Sequence, residues 1–387
     1  MQTLKRLSIV LPVCVALFTG TGCGDGSNNP SAVDTGALQP GNYPTDPRSA
    51  EEVRTPENID IQEALRLGAS VPMIMESEPG FVFNQVGSSV RKIITQKNPP
   101  KYTEFDFSAQ VPGFIAGWKT VGQRRENSVH GRVVELTVLR FAEPQQAEHA
   151  AKYLSDANLR GKYPPIGPIA VPGYPGAFGQ VSKYGGISVW VAQGSFMVQA
   201  WVGSGVDIPP DPAALAELFK HVLDRQFSAL QSYEPTPPDR IDELPVDRDG
   251  LLQYTLVGPE PTAEAVMDPD VALNFLQRPD LAKRAFEDAH VDLTVFGATT
   301  IYRAGDPAAA DRLKAFFVSQ QDSALQPVDS PPGLPAASCS ENPEETSSYS
   351  CIFTTGRYTV VVGDSNQIQD LHQQVAAQYL LLDKADG

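Results

Sequence analysis

The chain has 387 residues and a formal charge of −16, with 46 Asp and Glu against 30 Lys and Arg. So acidic a body disfavours nucleic acid and electrostatic adhesion to anionic headgroups. Its 34 prolines and 31 glycines exclude a plain helical bundle and favour a loop-rich α+β body.

The first element is a leader. Lys5 and Arg6 precede an apolar run from Leu7 to Phe18, shorter than the roughly 20 residues a membrane span requires. A positive start, a short apolar stretch and small residues describe a secretory signal. Thr21 and Gly22 stand directly before Cys23, which makes residues 1–22 read as a lipoprotein signal peptide with Cys23 as the lipidated residue. The pattern resembles the bacterial lipobox, except that Gly20 stands where Leu is usual. Attachment to the extracytoplasmic face of the cell membrane then comes from acyl chains, of which two anchor far better than one.

Residues 23–48 come next and are predicted to be a flexible tether, because Gly, Asn, Ser, Asp and Pro dominate and apolar residues are scarce. Within it, "VDTGALQPGNYPTDPR" (Val33 to Arg48) resembles an Asp-x-Gly…Gly-x-Tyr-Pro-Thr-x-Pro-Arg signature. That signature opens the mature part of an uncharacterised lipoprotein family of mycolate-making actinobacteria. The helix-like "IDIQEALRLGASVP" that follows resembles the same family. The spacer "ALQP" is longer than the family's usual form. The resemblance implies a cell-envelope lipoprotein and carries over no catalytic residue.

After Cys23 roughly 365 residues remain, enough for two domains of ordinary size. "SYEPTPPDRIDELPVDRDG" (Ser232 to Gly250) is rich in proline and charge and reads as a linker. The expected division is an N-terminal domain over 49–235, a linker over 236–250, and a C-terminal domain over 251–387. "VLRFAEPQQAEHAAKYLS" (Val138 to Ser155) aligns without gaps to "IYRAGDPAAADRLKAFFV" (Ile301 to Val318). Arg140 meets Arg303, and Pro144 meets Pro307 at a predicted helix start. Farther on, "VWVAQGSFMVQAWV" matches "CIFTTGRYTVVV", and a helix follows each. This is either an internal repeat or a shared β-α-β-β-α logic. In both cases the fold class is α+β, with two tandem antiparallel sheets carrying packed helices.

Placing a two-residue turn at Gln193–Gly194 pairs Val191 with Phe196 and Trp190 with Met197. Around Thr355–Gly356 it pairs Phe353 with Tyr358. One face of each hairpin is apolar and must be core. The other face carries Trp190, Met197 and Trp201 in the first copy. There are two readings of that face: a binding patch for a protein, glycan or lipid, or a surface covered by the other domain or the Ile59–Val71 helix. The Pro- and Gly-rich segment Tyr163 to Gly179 reads either as a functional loop or as a rigid surface crossing.

Four cysteines occur. With Cys14 removed and Cys23 lipidated, Cys339 and Cys351 remain as an even pair, which an oxidising compartment would join. A metal site would need more ligands than these.

No chemical constellation appears. "VGSSV" and "QGSFM" lack the spacing of a nucleophile elbow. None of His130, His149, His221, His290 and His372 has a second histidine at four-residue spacing. "DRDG" at Asp247 resembles half a calcium loop without its closing glutamate. Asp268 and Asp270 read as helix-opening carboxylates. No catalytic residue, metal or cofactor is assigned. The expectation is a non-catalytic envelope module that binds a partner protein, glycan or lipid. A carrier of apolar ligands is the alternative, and a hydrolase with an unrecognised site ranks below it.

Overall fold

A computed structural model describes residues 33–85, 91–204, 211–258, 263–344 and 348–385. The predicted signal peptide and Cys23 lie outside them.

Alternating side chains and Gly-led turns build the framework. In the N-terminal lobe the strands are β1 (Ile93–Thr95), β2 (Phe114–Gln123), β3 (Arg132–Phe141), β4 (Gly167–Pro168), β5 (Phe178–Val181), β6 (Ile187–Gln193) and β7 (Phe196–Ser204). In the C-terminal lobe they are β8 (Ala265–Met267), β9 (Leu293–Phe296), β10 (Thr299–Arg303), β11 (Gln326–Val328), β12 (Ser338–Asn342), β13 (Ser348–Thr355) and β14 (Tyr358–Ser365). Both sheets are seven-stranded and antiparallel. Their orders are β1-β2-β3-β7-β6-β5-β4 and, read from the matching edge, β8-β9-β10-β14-β13-β12-β11. The two orders are the same topology, so the repeat extends to every strand.

The helices of the N-terminal lobe are α1 (Pro56–Asp60), α2 (Gln62–Gly68), α3 (Ile74–Ser77), α4 (Phe107–Gln110), α5 (Pro144–Leu159) and α6 (Pro212–Leu230). The C-terminal lobe adds α7 (Pro269–Ala272), α8 (Pro279–Asp288), α9 (Pro307–Ser319) and α10 (Ile368–Asp383). Proline opens both α5 and α9, where its missing N–H costs nothing. Asp211 and Asp306 cap α6 and α9 by accepting from Ala214 N at 3.1 Å and Ala309 N at 2.8 Å. Helices cover both faces of each sheet. In the first lobe α6 packs on Val189, Val198 and Ala200, and α5 packs on the opposite face. Among the described residues no helix is long and apolar enough to cross a membrane.

The hairpin register differs from expectation. The turn is Gly194–Ser195, with Gln193 opposite Phe196 and Trp190 opposite Gln199. In the second lobe it is Gly356–Arg357, with Thr355 opposite Tyr358 and Phe353 opposite Val360. Gly194 and Gly356 have φ of 56° and 50°, the positive value that places glycine first in a II′ turn. The shift is by two residues, so every side chain keeps its expected face.

Cys339 and Cys351 are bonded, as expected. They stand directly opposite on β12 and β13, so the bridge crosses adjacent strands. The matching pair in the first lobe is Gly179 and Val189.

One expectation about a segment fails. The tether does not extend to 48, because Leu38 is buried in the C-terminal core and Arg48 holds Glu264. Residues 49–60 bridge the two lobes: Val53 is fully buried in that core and Ile59 packs against it, while Lys97 Nζ donates to Pro56 O at 3.2 Å and Thr95 Oγ1 to Asp60 Oδ2 at 2.6 Å. The segment expected as a linker, 236–250, is held against the body. Arg54 donates to Leu244 O at 2.8 Å, and Val246 is buried. Arginine side chains that donate to carboxylate and backbone oxygens hold these polar stretches, which hydrophobic content alone would leave loose.

The lobes share one apolar cluster, running from α2 and α6 through Val271 and Leu273 to α9. Phe275 meets Trp118 edge to face at 6.1 Å. Asn84 N donates to Gln277 O at 2.9 Å, and Arg278 lies 4.8 Å over the Phe83 ring.

Candidate functional site

Of the two readings of the outer face of the first sheet, cover holds for Trp190 and Met197 and the binding patch is lost there. Trp190 is 3% exposed and Met197 fully buried. They pack with Ala147, Ala151 and Leu154 of α5 and with Phe107 and Phe141. The cover comes from the lobe's own helix, not from the other lobe or the Ile59–Val71 segment. Trp201 alone remains, 38% exposed. Its ring lies against Gly203, where a Cβ would stand 2.4 Å from it. With Tyr102, Gln199 and the Lys119–Glu135 ion pair it lines a shallow cavity of 320 Å³.

The other singled-out groups serve the fold. His149, His221 and His372 hold Gln110 O, Glu78 and Asp329 O at 3.0, 2.9 and 2.9 Å. Asp247 accepts from Leu252 N, Asp249 pairs with Arg303, Asp268 with Arg248, and Asp270 with Lys283. Among the described residues no cluster of three or more His, Cys, Asp or Glu could hold a metal ion. The Tyr163–Gly179 segment supplies β4, the first two residues of β5 and a Pro172-Gly173 turn. The second lobe has the same turn at Pro332-Gly333, both glycines at positive φ near 80°.

The groove with the strongest binding chemistry lies in the second lobe, at the place the duplication makes equivalent to the Trp201 cavity. Strand pairing sets Phe296 in the place of Lys119, Tyr302 in that of Leu139, and Val361 in that of Gln199. Counting from the matched turns, Ile352 replaces Trp190 and Thr359 replaces Met197. Ile352, smaller than Trp190, lines the space under α9, whereas Thr359 is buried and donates to Ala310 O at 2.8 Å. The resulting groove has a volume of 430 Å³, within the range typical of ligand sites.

The walls of this groove are rings. Phe316 and Phe317 come from α9, Tyr302 from β10, Phe296 from β9, and Phe275 from the turn between α7 and α8. Tyr302 and Phe317 lie 4.7 Å apart, Phe316 and Phe317 5.4 Å, and Phe275 and Phe296 4.9 Å. Ile352 and Val361 form the floor. Polar groups stand at the mouth: Gln277, Gln320, Gln321 and Ser350. Arg278 is also there, but Asp280 holds its guanidinium through two bonds of 2.9 and 2.8 Å. Burial raises the Tyr302 phenol well above its ordinary pKa, so it stays neutral. The groove thus offers aromatic contact, amide hydrogen bonding and no unpaired charge.

Aligned on their turns, the two hairpins set Ile352 opposite Trp190 and Val361 opposite Gln199. That loss of volume, together with "FF" at Phe316–Phe317, is the signal of the groove that the sequence carries.

Two family models match the chain. One, described as the N-terminal domain of unknown function DUF7373, covers residues 50–246, and the other, its C-terminal counterpart, covers 245–385. No curated protein matches the chain. Among solved structures, the crystal structure of the extracellular domain of PknH from Mycobacterium tuberculosis matches with a TM-score of 0.24 and 11% identity. The match covers 33% of this chain and 72% of that one; similarity at that level carries no functional weight.

Proposed function

We propose the following reading of a chain that belongs to the DUF7373 family: it is a non-catalytic, lipid-anchored binding protein of the cell envelope whose ligand is apolar. One observation carries it, the aromatic-walled groove of 430 Å³ between α9 and the second sheet. Burying an alkyl chain there is favourable by about 0.8 kcal/mol per methylene. The uncharged mouth suits a neutral or hydroxylated head better than an ionised one. The anchor is supported by Lys5–Arg6, the Leu7–Phe18 run and the small residues before Cys23. The Cys339–Cys351 bridge supports an oxidising location outside the cytoplasm.

Native mass spectrometry of the secreted, unlipidated chain tests the ligand. Co-purified apolar mass, or uptake of a fluorescent fatty-acid probe, is expected. Ile352→Trp, which copies the first lobe's own filling, should abolish it, whereas Trp201→Ala should not. A clean apo mass with no probe uptake would overturn the reading. A second reading, a protein or glycan bound at the half-exposed Trp201 ring, is favoured instead if Trp201→Ala alone lowers partner recovery.

A further inference from the structure

Among the described residues, the bonds that the signature segment Val33–Arg48 makes to the two lobes go to the C-terminal one. Asp34 N donates to Gly333 O at 2.8 Å, and Leu38 is buried in the C-terminal core. The Tyr43 hydroxyl donates to Asp370 Oδ1 at 2.8 Å. Lys384 Nζ donates to Thr45 O at 2.7 Å and to Asp46 Oδ1 at 2.6 Å. Arg48 makes a two-pronged bond to Glu264, at 2.6 and 3.0 Å, and reaches Leu252 O at 2.8 Å. The signature's tyrosine and arginine, and the backbone beside its prolines, are therefore used inside the molecule.

The seat for this segment is particular to the second lobe. A Cβ on Gly333 would stand 2.3 Å from Asp34 O, so that turn admits the segment only as glycine. Its counterpart Gly173 has nothing closer than Lys220 Cε at 3.8 Å. The duplicated Pro-Gly turn is thus occupied in one lobe and open in the other.

We infer that Val33–Arg48 is a strap that completes the C-terminal lobe and makes that lobe the membrane-proximal half of the protein. The orientation rests on lipidation at Cys23. From Cys23 to Asp34 is eleven residues, a reach of at most about 40 Å at full extension. A free tether to Arg48 would reach about 85 Å. A folded body of this length has a radius of gyration of about 20 Å. The strap therefore shortens the leash to less than the width of the molecule and fixes which end hangs from it.

The strap is tested without lipid. In the unlipidated chain, hydrogen exchange at Asp34 and Arg48 should be slowed at least about tenfold against the unfolded peptide, and Arg48→Ala with Tyr43→Phe should remove that protection. Exchange at the unfolded rate in the unsubstituted chain would overturn the strap. The orientation is tested on the lipidated chain in phosphatidylcholine vesicles bearing a headgroup acceptor dye, with a donor at Asp383→Cys on α10. Energy transfer should fall at least about twofold when the strap is released by the same two substitutions. Transfer that ignores the release would overturn the orientation while leaving the strap intact. Transfer that survives Cys23→Ala would overturn the anchor, and the orientation with it.

Discussion

Arg140 stands against Glu63 with both side chains sealed from water, 4% and 2% exposed. The same carboxylate accepts from the Tyr233 hydroxyl and from Thr236 N, and Arg140 also donates to Thr236 O. Strand β3, helix α2 and the segment leaving α6 are thus joined at one charge. Arg303 holds the matching place in the second lobe. Its partners Asp292 and Asp249 are 54% and 63% exposed.

Removing one member of the sealed pair strands the other. Glu63→Gln should cost about 3–5 kcal/mol, and the Glu63→Leu, Arg140→Met double variant should cost less than the sum of its single changes. Arg303→Met should cost about 1 kcal/mol or less, because its partners are already solvated. Urea midpoints at unchanged slope measure all three.

The Cys339–Cys351 bridge closes a short loop between neighbouring strands. The chain-entropy relation puts its contribution at about 3 kcal/mol. Cys339→Ser with Cys351→Ser should lower the unfolding midpoint by that amount. If the native protein alkylates at both thiols without prior reduction, the bridge is absent in the cell.

Trp190 and Trp201 lie on the same face but differ in cover. Trp190→Ala should cost about 3–5 kcal/mol by opening a cavity under α5. Trp201→Ala should stay within about 1 kcal/mol. Calorimetric melting of the two variants separates them, and equal losses would mean that Trp201 is also packed.

Lys92 is buried on β1's approach, with Nζ donating to Asn84 Oδ1 at 2.9 Å. Burial, helped by Lys119 and opposed by Glu135, lowers its pKa to about 7. The unfolded lysine, near 10.4, then binds more protons than the folded one between those values. Stability relative to Lys92→Met should rise with pH from about 7 towards 10, by up to about 1.4 kcal/mol per unit. Below pH 7 the difference should be flat. A difference that does not change across this window would place the ammonium in contact with water.

The duplicated framework was legible because its signals are local. Pro144 and Pro307 mark helix starts, Gly194 and Gly356 mark turns, and alternation assigns each hairpin residue to a face whatever its exact partner. The repeat of "PGYP" at Pro172 as "PGLP" at Pro332 was equally readable and would have extended the alignment. Polarity misled at the tether. Residues 34–48 and 236–250 look like loose chain because they are poor in apolar side chains. Their order comes from Arg48, Arg54 and Arg140 reaching partners some 100 to 200 positions away, which no window of sequence contains.

From the residues alone come the α+β class, the two sheets and their core faces, and the one cysteine pair free to form a bridge, because each depends on near-neighbour periodicity or counting. Tertiary packing alone decided that α5 buries Trp190 and Met197, that Ile352 in the place of Trp190 lines a groove beneath α9, and that the signature segment lies on the second lobe. Those outcomes depend on volumes and hydrogen-bond partners meeting across the chain, and contacts of that kind exist only once the chain has folded.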